Sequence, residues 1–232
     1  MRPSSALPDL SDRSPSEDQI SALVEAVLAP GEDRASNLVR QLVESGMPVE
    51  TVYLDLLAPT ATRLGEMWEG DTCDFMDVTI ALGRLQRTLH ELSAAFTGPV
   101  NSTSAVGHFL VTGVHGEQHT LGLFLVAEFL VRDGWSVSVG LPPSAEELLD
   151  TVRDEAFDVI GFSVGCATKL ERLKHDIGRV RRGSRNREVF ILVGGPAFNG
   201  HPDLVRRVGA DGYARSAGEV GRVARSMLDR QA

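Results

Sequence analysis

The sequence predicts an α/β protein in two parts: an N-terminal four-helix bundle over residues 16–96, then an open parallel-sheet domain, (βα)5, over residues 107–232. Three observations carry this prediction. From Ile20 to Phe96 apolar residues recur every three or four positions, the period of an amphipathic helix. From 107 onward, apolar runs of strand length alternate with helical patterns. Between the two, residues 97–106 contain Gly98-Pro99 and Asn101-Ser-Thr-Ser104 and read as a polar linker at the domain boundary.

Residues 1–15 mix Pro, Ser and Asp with few apolar side chains and are expected to form a disordered tail, too short for a DNA-binding domain. Ser16-Glu-Asp-Gln19 has capping-box spacing, and Ile20, Leu23, Val24, Val27 and Leu28 make one apolar face before Pro30-Gly31 stops the helix. Ala35, Leu38, Val39, Leu42 and Val43 repeat the pattern up to Ser45-Gly46. Pro48 suits the first turn of a third helix carrying Val52, Leu56, Leu64, Met67 and Trp68, which Pro59 should kink. After Gly70-Asp71, the residues Phe75, Val78, Leu82, Leu85, Leu89, Leu92 and Phe96 form a continuous packing seam. Four such helices joined by short turns make a bundle.

The second part reads as strands at 108–113, 135–140, 158–163, 188–193 and 210–214, with helices at about 119–132, 144–156, 168–181, 201–208 and 217–229. Short βα repeats imply parallel strands with right-handed crossovers, and five of them favour the flavodoxin/Rossmann-like strand order 2-1-3-4-5. Ligands of such sheets bind at the carboxyl ends of the strands, so binding residues belong in the loops after strands one, three and four.

Composition narrows the function. A net charge of −9 disfavours sequence-independent binding of nucleic acid by the whole molecule. Cys73 and Cys166 are the only cysteines and lack metal-site spacing, which argues against a disulfide framework and a structural zinc site. No apolar run approaches the roughly 20 residues of a membrane span, and the N-terminus lacks a signal-peptide core, so the expected location is the cytoplasm, away from the membrane. No nucleophile–base pair or second metal site is visible, and the expectation is a protein that is not an enzyme.

The three loops carry the chemistry. After strand one comes Gly116-Glu117-Gln-His119-Thr-Leu-Gly122: an imidazole with a carboxylate two residues earlier suits a metal ligand whose second ring nitrogen is held by that carboxylate, and Gly122 leaves room for something large. After strand three, Ser163 offers a hydroxyl, with Val164 and Gly165 beside it; after strand four, Gly194 and Gly195 let a bulky group pass close to the backbone. Singly, these are an ordinary loop histidine, a strand-end cap and a turn. Together they resemble the cobalamin-binding domains, which carry Asp-x-His-x-x-Gly, Ser-x-Leu and Gly-Gly at these strand ends, often behind a four-helix cap. The resemblance covers residues from about 17 to 230. It implies that His119 is the lower cobalt ligand in place of dimethylbenzimidazole and that Glu117 orients it. It further implies that Gly122 accommodates the corrin while Ser163, Val164, Gly165, Gly194 and Gly195 line the slot for the nucleotide tail. Glu stands at 117 where the pattern has Asp, and Gly165 where Leu is usual.

Leu64-Gly-Glu-Met-Trp68-Glu-Gly-Asp71 is similar to the segment of light-sensing cobalamin photoreceptors in which a Trp covers the upper corrin face and a Glu-His pair follows. Here Val78 and Thr79 occupy the pair's positions, so the upper histidine is missing. From Trp68 to Gln86 the sequence resembles the AerR/PpaA antirepressors of photosynthesis genes, a group with a heme-or-cobalamin sensor domain whose members act on a transcriptional repressor. The resemblance implies a light- or B12-responsive regulator. Two rivals stay open: a corrinoid methyl carrier serving a methyltransferase, and a heme sensor, since imidazole binds iron and cobalt alike. The basic run from Lys169 to Arg187 reads first as a solvated helix face, with DNA contact through Arg179 to Arg187 the weaker alternative.

Overall fold

The computed structural model describes residues 14–31, 34–98, 105–115, 117, 120–141 and 144–230. Residues 1–13 of the expected tail, residues 99–104 of the expected linker, and His119 lie outside the described residues. The chain divides into two compact units, Met1–Glu91 and Leu92–Ala232.

The first unit is helical. Helix α1 (Glu17–Leu28) opens on a reciprocal cap: the Ser16 hydroxyl accepts the Gln19 N–H at 3.3 Å and the Gln19 side chain accepts the Ser16 N–H at 2.8 Å. A cap of this kind contributes about 1 kcal/mol. At the other end, the Arg84 guanidinium donates to the Val27 and Ala29 carbonyls, which have no partner within the helix. Helix α2 (Arg34–Glu44) buries Ala35, Ser36 and Val39, and the Ser36 hydroxyl pairs with that of Thr88 at 3.2 Å. The third helical stretch begins as α3 (Val49–Thr51), widens into a π-helical segment, Val52–Leu57, and continues as α4 (Ala58–Glu69).

That π-helical segment is what the structure shows where the sequence predicts a kink. Pro59 has no N–H to give the carbonyl one turn back, and its ring crowds that carbonyl. The preceding turn relaxes to a wider spacing, in which the Ala58 N–H reaches the Tyr53 carbonyl five residues earlier. Helix α5 (Phe75–Thr97) follows, capped by Asp74, whose carboxylate accepts the Asp77 N–H at 2.8 Å. Of the expected seam, Val78, Leu85, Leu89 and Phe96 are buried. Phe75 departs from it: at the helix start it is 58% exposed and meets the ring of Trp68 edge-on, with centroids 6.3 Å apart.

The second unit is a five-stranded parallel sheet in the predicted order, β2-β1-β3-β4-β5. The strands are β1 (His108–Gly113), β2 (Ser136–Gly140), β3 (Val159–Ser163), β4 (Phe190–Gly194) and β5 (Gly212–Tyr213). The helices are α6 (Leu121–Arg132), α7 (Ala145–Asp154), α8 (Leu170–Gly183), α9 (Asp203–Val208) and α10 (Ala217–Leu228). Alternation along the strands splits the core. Phe109, Val111, Val159 and Leu192 pack with Leu123 and Leu130 of α6 and with Val220, Ala224 and Met227 of α10. Leu110, Ile160, Phe162, Ile191 and Val193 pack with residues of α7, α8 and α9. Among the described residues, no helix is long and apolar enough to cross a membrane.

Candidate functional site

Parallel register lines up the three predicted loops. Gly113 pairs with Ser163, and Ser163 with Gly194, so the last residues of β1, β3 and β4 form one row across the carboxyl edge of the sheet. Strands in such a row are spaced by about 4.8 Å. The chain therefore brings Glu117, Ser163 and the glycine pair to one edge without any side chain having to reach far.

The first loop turns back on itself. The Glu117 N–H donates to the Val114 carbonyl at 2.8 Å, which swings the Glu117 side chain over the end of β1. Gly113 makes this approach feasible: a Cβ there would lie 2.8 Å from the Glu117 Cβ. The carboxylate is then held at both oxygens. Oε2 accepts the Gly165 N–H at 3.1 Å, and Oε1 lies 3.1 Å from the Lys169 ammonium. The Glu117 side chain is only 2% exposed, against 22% for Lys169. A carboxylate so far from water needs a counter-charge and donors of this sort to stay charged.

Gly122, at the start of α6, faces Ser163: a Cβ built on it would stand 3.9 Å from the Ser163 hydroxyl, ordinary contact distance, so among the described residues nothing crowds α6 at this point. The second and third loops are locked together through backbone: the Val164 N–H donates to the Gly194 carbonyl at 3.0 Å, and the Ala197 N–H to the Val164 carbonyl at 3.1 Å. Gly195 has φ +95°, and a Cβ there would come within 2.6 Å of the Val164 oxygen. The Val164 side chain is fully buried in the core, so what it offers the edge is its peptide group.

Sequence reasoning placed Glu117, Gly122, Ser163, Gly165, Gly194 and Gly195 at one edge, and the structure brings them there. His119 is outside the described residues. The reasoning missed Lys169, read only as part of a basic run; the available signal was its position just past the third strand's loop, at the end of the short helical turn Ala167–Lys169. It also missed Arg172, which donates to the His115 carbonyl at 3.1 Å and so tethers the first loop from α8. Cys166, exposed on the second loop, accepts the Thr168 hydroxyl at 3.2 Å, a bond that holds its thiol below the usual range.

The basic stretch is largely engaged within the protein. Arg179 pairs with Glu146 at 2.6 Å and holds that carboxyl below its usual range, while Arg181 pairs with Asp211 at 2.7 Å. Arg185 donates to the Asp154 carbonyl and Arg187 to that of Arg182. In the helical unit, Trp68 is 42% exposed, near the exposed Met76 and Ile80 in sequence as well as beside Phe75. Val78 is buried, and the exposed Thr79 donates its hydroxyl to the Phe75 carbonyl at 2.7 Å.

The residues present suit a tetrapyrrole of the corrin kind: a fixed carboxylate at position i−2 from a histidine, and a glycine at the start of α6 facing a serine hydroxyl, on a sheet edge where Gly195 lets two loops interlock through backbone alone. Comparison with known proteins agrees. Residues 107–221 match a family model described as the B12 binding domain, and residues 19–92 match a second model of the same description. A Rhodobacter capsulatus protein, described as an uncharacterized 20.5 kDa protein in the bchF-crtJ intergenic region, is 29% identical over 168 residues, covering 71% of this chain and 85% of its own length. The fold is similar to that of the Methanosarcina barkeri monomethylamine corrinoid protein, with a TM-score of 0.72 and 17% identity over 90% of this chain and 98% of that one. With both of its units matched in this way, the chain belongs to the cobalamin-binding (B12-binding) domain proteins, a helical N-terminal part followed by a Rossmann-like one.

Proposed function

We propose that this protein is a cobalamin-binding transcriptional regulator that acts, without turnover, as an antirepressor on a repressor protein. The observation that carries the cofactor half is the Glu117 carboxylate, buried and held at both oxygens at the sheet edge where Gly122 faces Ser163. In this reading His119 is the lower axial ligand and Glu117 fixes its tautomer by accepting the N–H of the ring nitrogen that does not face the metal. Gly122 admits the corrin, and Ser163, Gly165, Gly194, Gly195 and the Val164 peptide line the slot for the nucleotide tail. Cobalamin supplies a metal centre whose axial ligands exchange. Trp68 serves the upper face. Val78 has no donor atom and the Thr79 hydroxyl is already committed to Phe75, so the preferred form has a small upper ligand: hydroxocobalamin, or adenosylcobalamin after photolysis.

The regulatory half is supported by the resemblance of Trp68 to Gln86 to the photosynthesis-gene antirepressors, and by the relative named for the bchF-crtJ intergenic region, a photosynthesis region. A ligand biases a partner only by the difference in the partner's affinity for loaded and empty forms. The test is repressor binding to its operator with the apo and the cobalamin-loaded protein added in turn. Loaded and apo forms should shift operator occupancy by different amounts. Direct DNA contact through Arg179 to Arg187 is the weaker proposal, because those guanidiniums serve the fold. If neither form binds the repressor or alters occupancy, and the loaded protein exchanges methyl groups with a partner enzyme, the regulator gives way to a corrinoid carrier. Visible spectra after reconstitution with cobalamin or heme separate the remaining rival.

A further inference from the structure

The helical unit has a groove that cofactor binding leaves unused. It lies between α1 and the face of the third helical stretch that runs from Leu54 to Glu66, has a volume of about 390 Å³ and is open to solvent. Ile20, Leu54 and Pro59, all half-buried, give it an apolar lining, and Glu17, Arg63 and Glu66 add charge along its length. From Leu54 to Glu66 the helical rise amounts to roughly 18 Å, about three turns. An open groove of this shape covers too little of a small molecule to hold it, since small-ligand sites enclose most of their ligand. It suits the apolar ridge of a further helix laid along two others.

Two features select the helix that fits. The Ala58 N–H goes to the Tyr53 carbonyl and residue 59 is proline, so the Leu54 carbonyl receives a helical hydrogen bond in neither the α nor the π pattern. That leaves an acceptor at the groove for a donor from outside. Charge acts in the same sense. Met1–Glu91 has 16 acidic residues against 7 basic, while Leu92–Ala232 has 16 of each, so the whole net charge of −9 lies on the helical unit. Arg63 does not offset this at the groove: it is committed to Glu17 at 2.5 Å and to the Ser21 hydroxyl at 3.1 Å. Among the described residues no cation pairs with Glu66.

We propose that this groove is where the repressor docks, entering as one amphipathic helix whose apolar side chains meet Ile20, Leu54 and Pro59 and whose flanking lysines and arginines meet Glu66 and the open Leu54 carbonyl. This rests on the regulator reading made above. The sheet unit, with no net charge, gives a basic helix no comparable attraction.

The test uses the full cobalamin-loaded chain, with Leu54→Lys and Glu66→Lys, and two probes: the operator-bound repressor and a synthetic amphipathic helix of leucine and lysine, each followed by fluorescence anisotropy. Leu54→Lys is expected to weaken both complexes about 30-fold or more, the size of a lost central anchor. Glu66→Lys is expected to weaken them about 3–10-fold, with a deficit that shrinks as salt rises. Cobalamin titrations of both variants should match wild type. Repressor and peptide binding unchanged in both variants overturns the groove and leaves the regulator standing, as does equal binding of a leucine and glutamate peptide. A wild-type chain that binds no repressor overturns the regulator and, with it, this occupant. Where Leu54→Lys fails to fold, Ile20→Lys across the groove takes its place, and the exposed Glu66→Lys carries the charge half of the decision.

Discussion

The two units hold their candidate cofactor-facing groups in opposite ways. At the sheet edge Glu117 is 2% exposed, fixed by a peptide and an ammonium, and Gly195 is interlocked with the Val164 backbone. In the helical unit Trp68 is 42% exposed and touched edge-on by Phe75, itself 58% exposed. The first arrangement is built before a ligand arrives, and the second is apolar surface that a ligand can order. A lower-face ligand needs a set direction, because metal bonding is directional; contact with a flat ring face tolerates several aromatic poses.

The largest effect expected from this contrast is at His119. His119→Ala should abolish tight cobalamin binding or leave a spectrum without histidine on cobalt, while Trp68→Ala should leave that spectrum intact. Absorption spectra of the two loaded variants decide it, and an unchanged His119→Ala spectrum removes the directional side of the comparison. Next in size is Gly195→Ala, which forces φ +95° on a residue with a Cβ and drives that atom against Val164; a cost of roughly 1–3 kcal/mol is expected in urea unfolding. Trp68→Ala should cost about tenfold in cobalamin affinity and change apo stability by less than about 0.5 kcal/mol, since it removes an exposed side chain. Comparable titrations in the dark should show hydroxocobalamin binding more tightly than intact adenosylcobalamin.

The smallest effect separates a merely buried charge from a placed one. Asp176 on α8 is 3% exposed, its Oδ2 has no hydrogen-bond partner among the described residues, and burial raises its carboxyl above the usual range. His175, Arg179, Arg172 and His115 oppose that rise. Because the folded value lies above the unfolded one, the folded state holds the proton more tightly. The associated stability is complete below the unfolded value and is lost as pH rises through the folded one. Asp176→Asn should therefore raise the melting temperature at neutral pH, and the gain should shrink as the pH falls through the carboxylate range. Glu117→Gln, by contrast, should show no such gain at neutral pH, since its charge is compensated.

How far the sequence speaks follows the same division. Strand ends and strand order were legible because period-two runs and short βα spacing admit few topologies, and the row Gly113, Ser163, Gly194 follows from that order. Lys169 was illegible: a lysine in a basic helix start looks solvated, and only the parallel pairing of β1 with β3 brings it to Glu117. The exposure of Phe75 was hidden for a related reason. Helical periodicity marks a face but does not say where along the helix its neighbours end. Pro59 announced a disturbance, while the form it takes depends on a hydrogen-bond pattern that no local residue preference encodes.

That wider turn also sets an angular phase. An α-helix advances about 100° per residue, and a π-helical stretch advances less, so one such stretch shifts everything after it by about the turn of a single inserted residue. Trp68 comes after the Val52–Leu57 segment, and its bearing around the helix is therefore fixed relative to the buried Val52 and Tyr53 by that lag. Closing the stretch into regular α-helix at unchanged length, as Pro59→Ala permits, would act as a quarter-turn of a key and swing Trp68 to another side of its own helix. Deleting one residue between Val52 and Leu57 at the same time would turn it back.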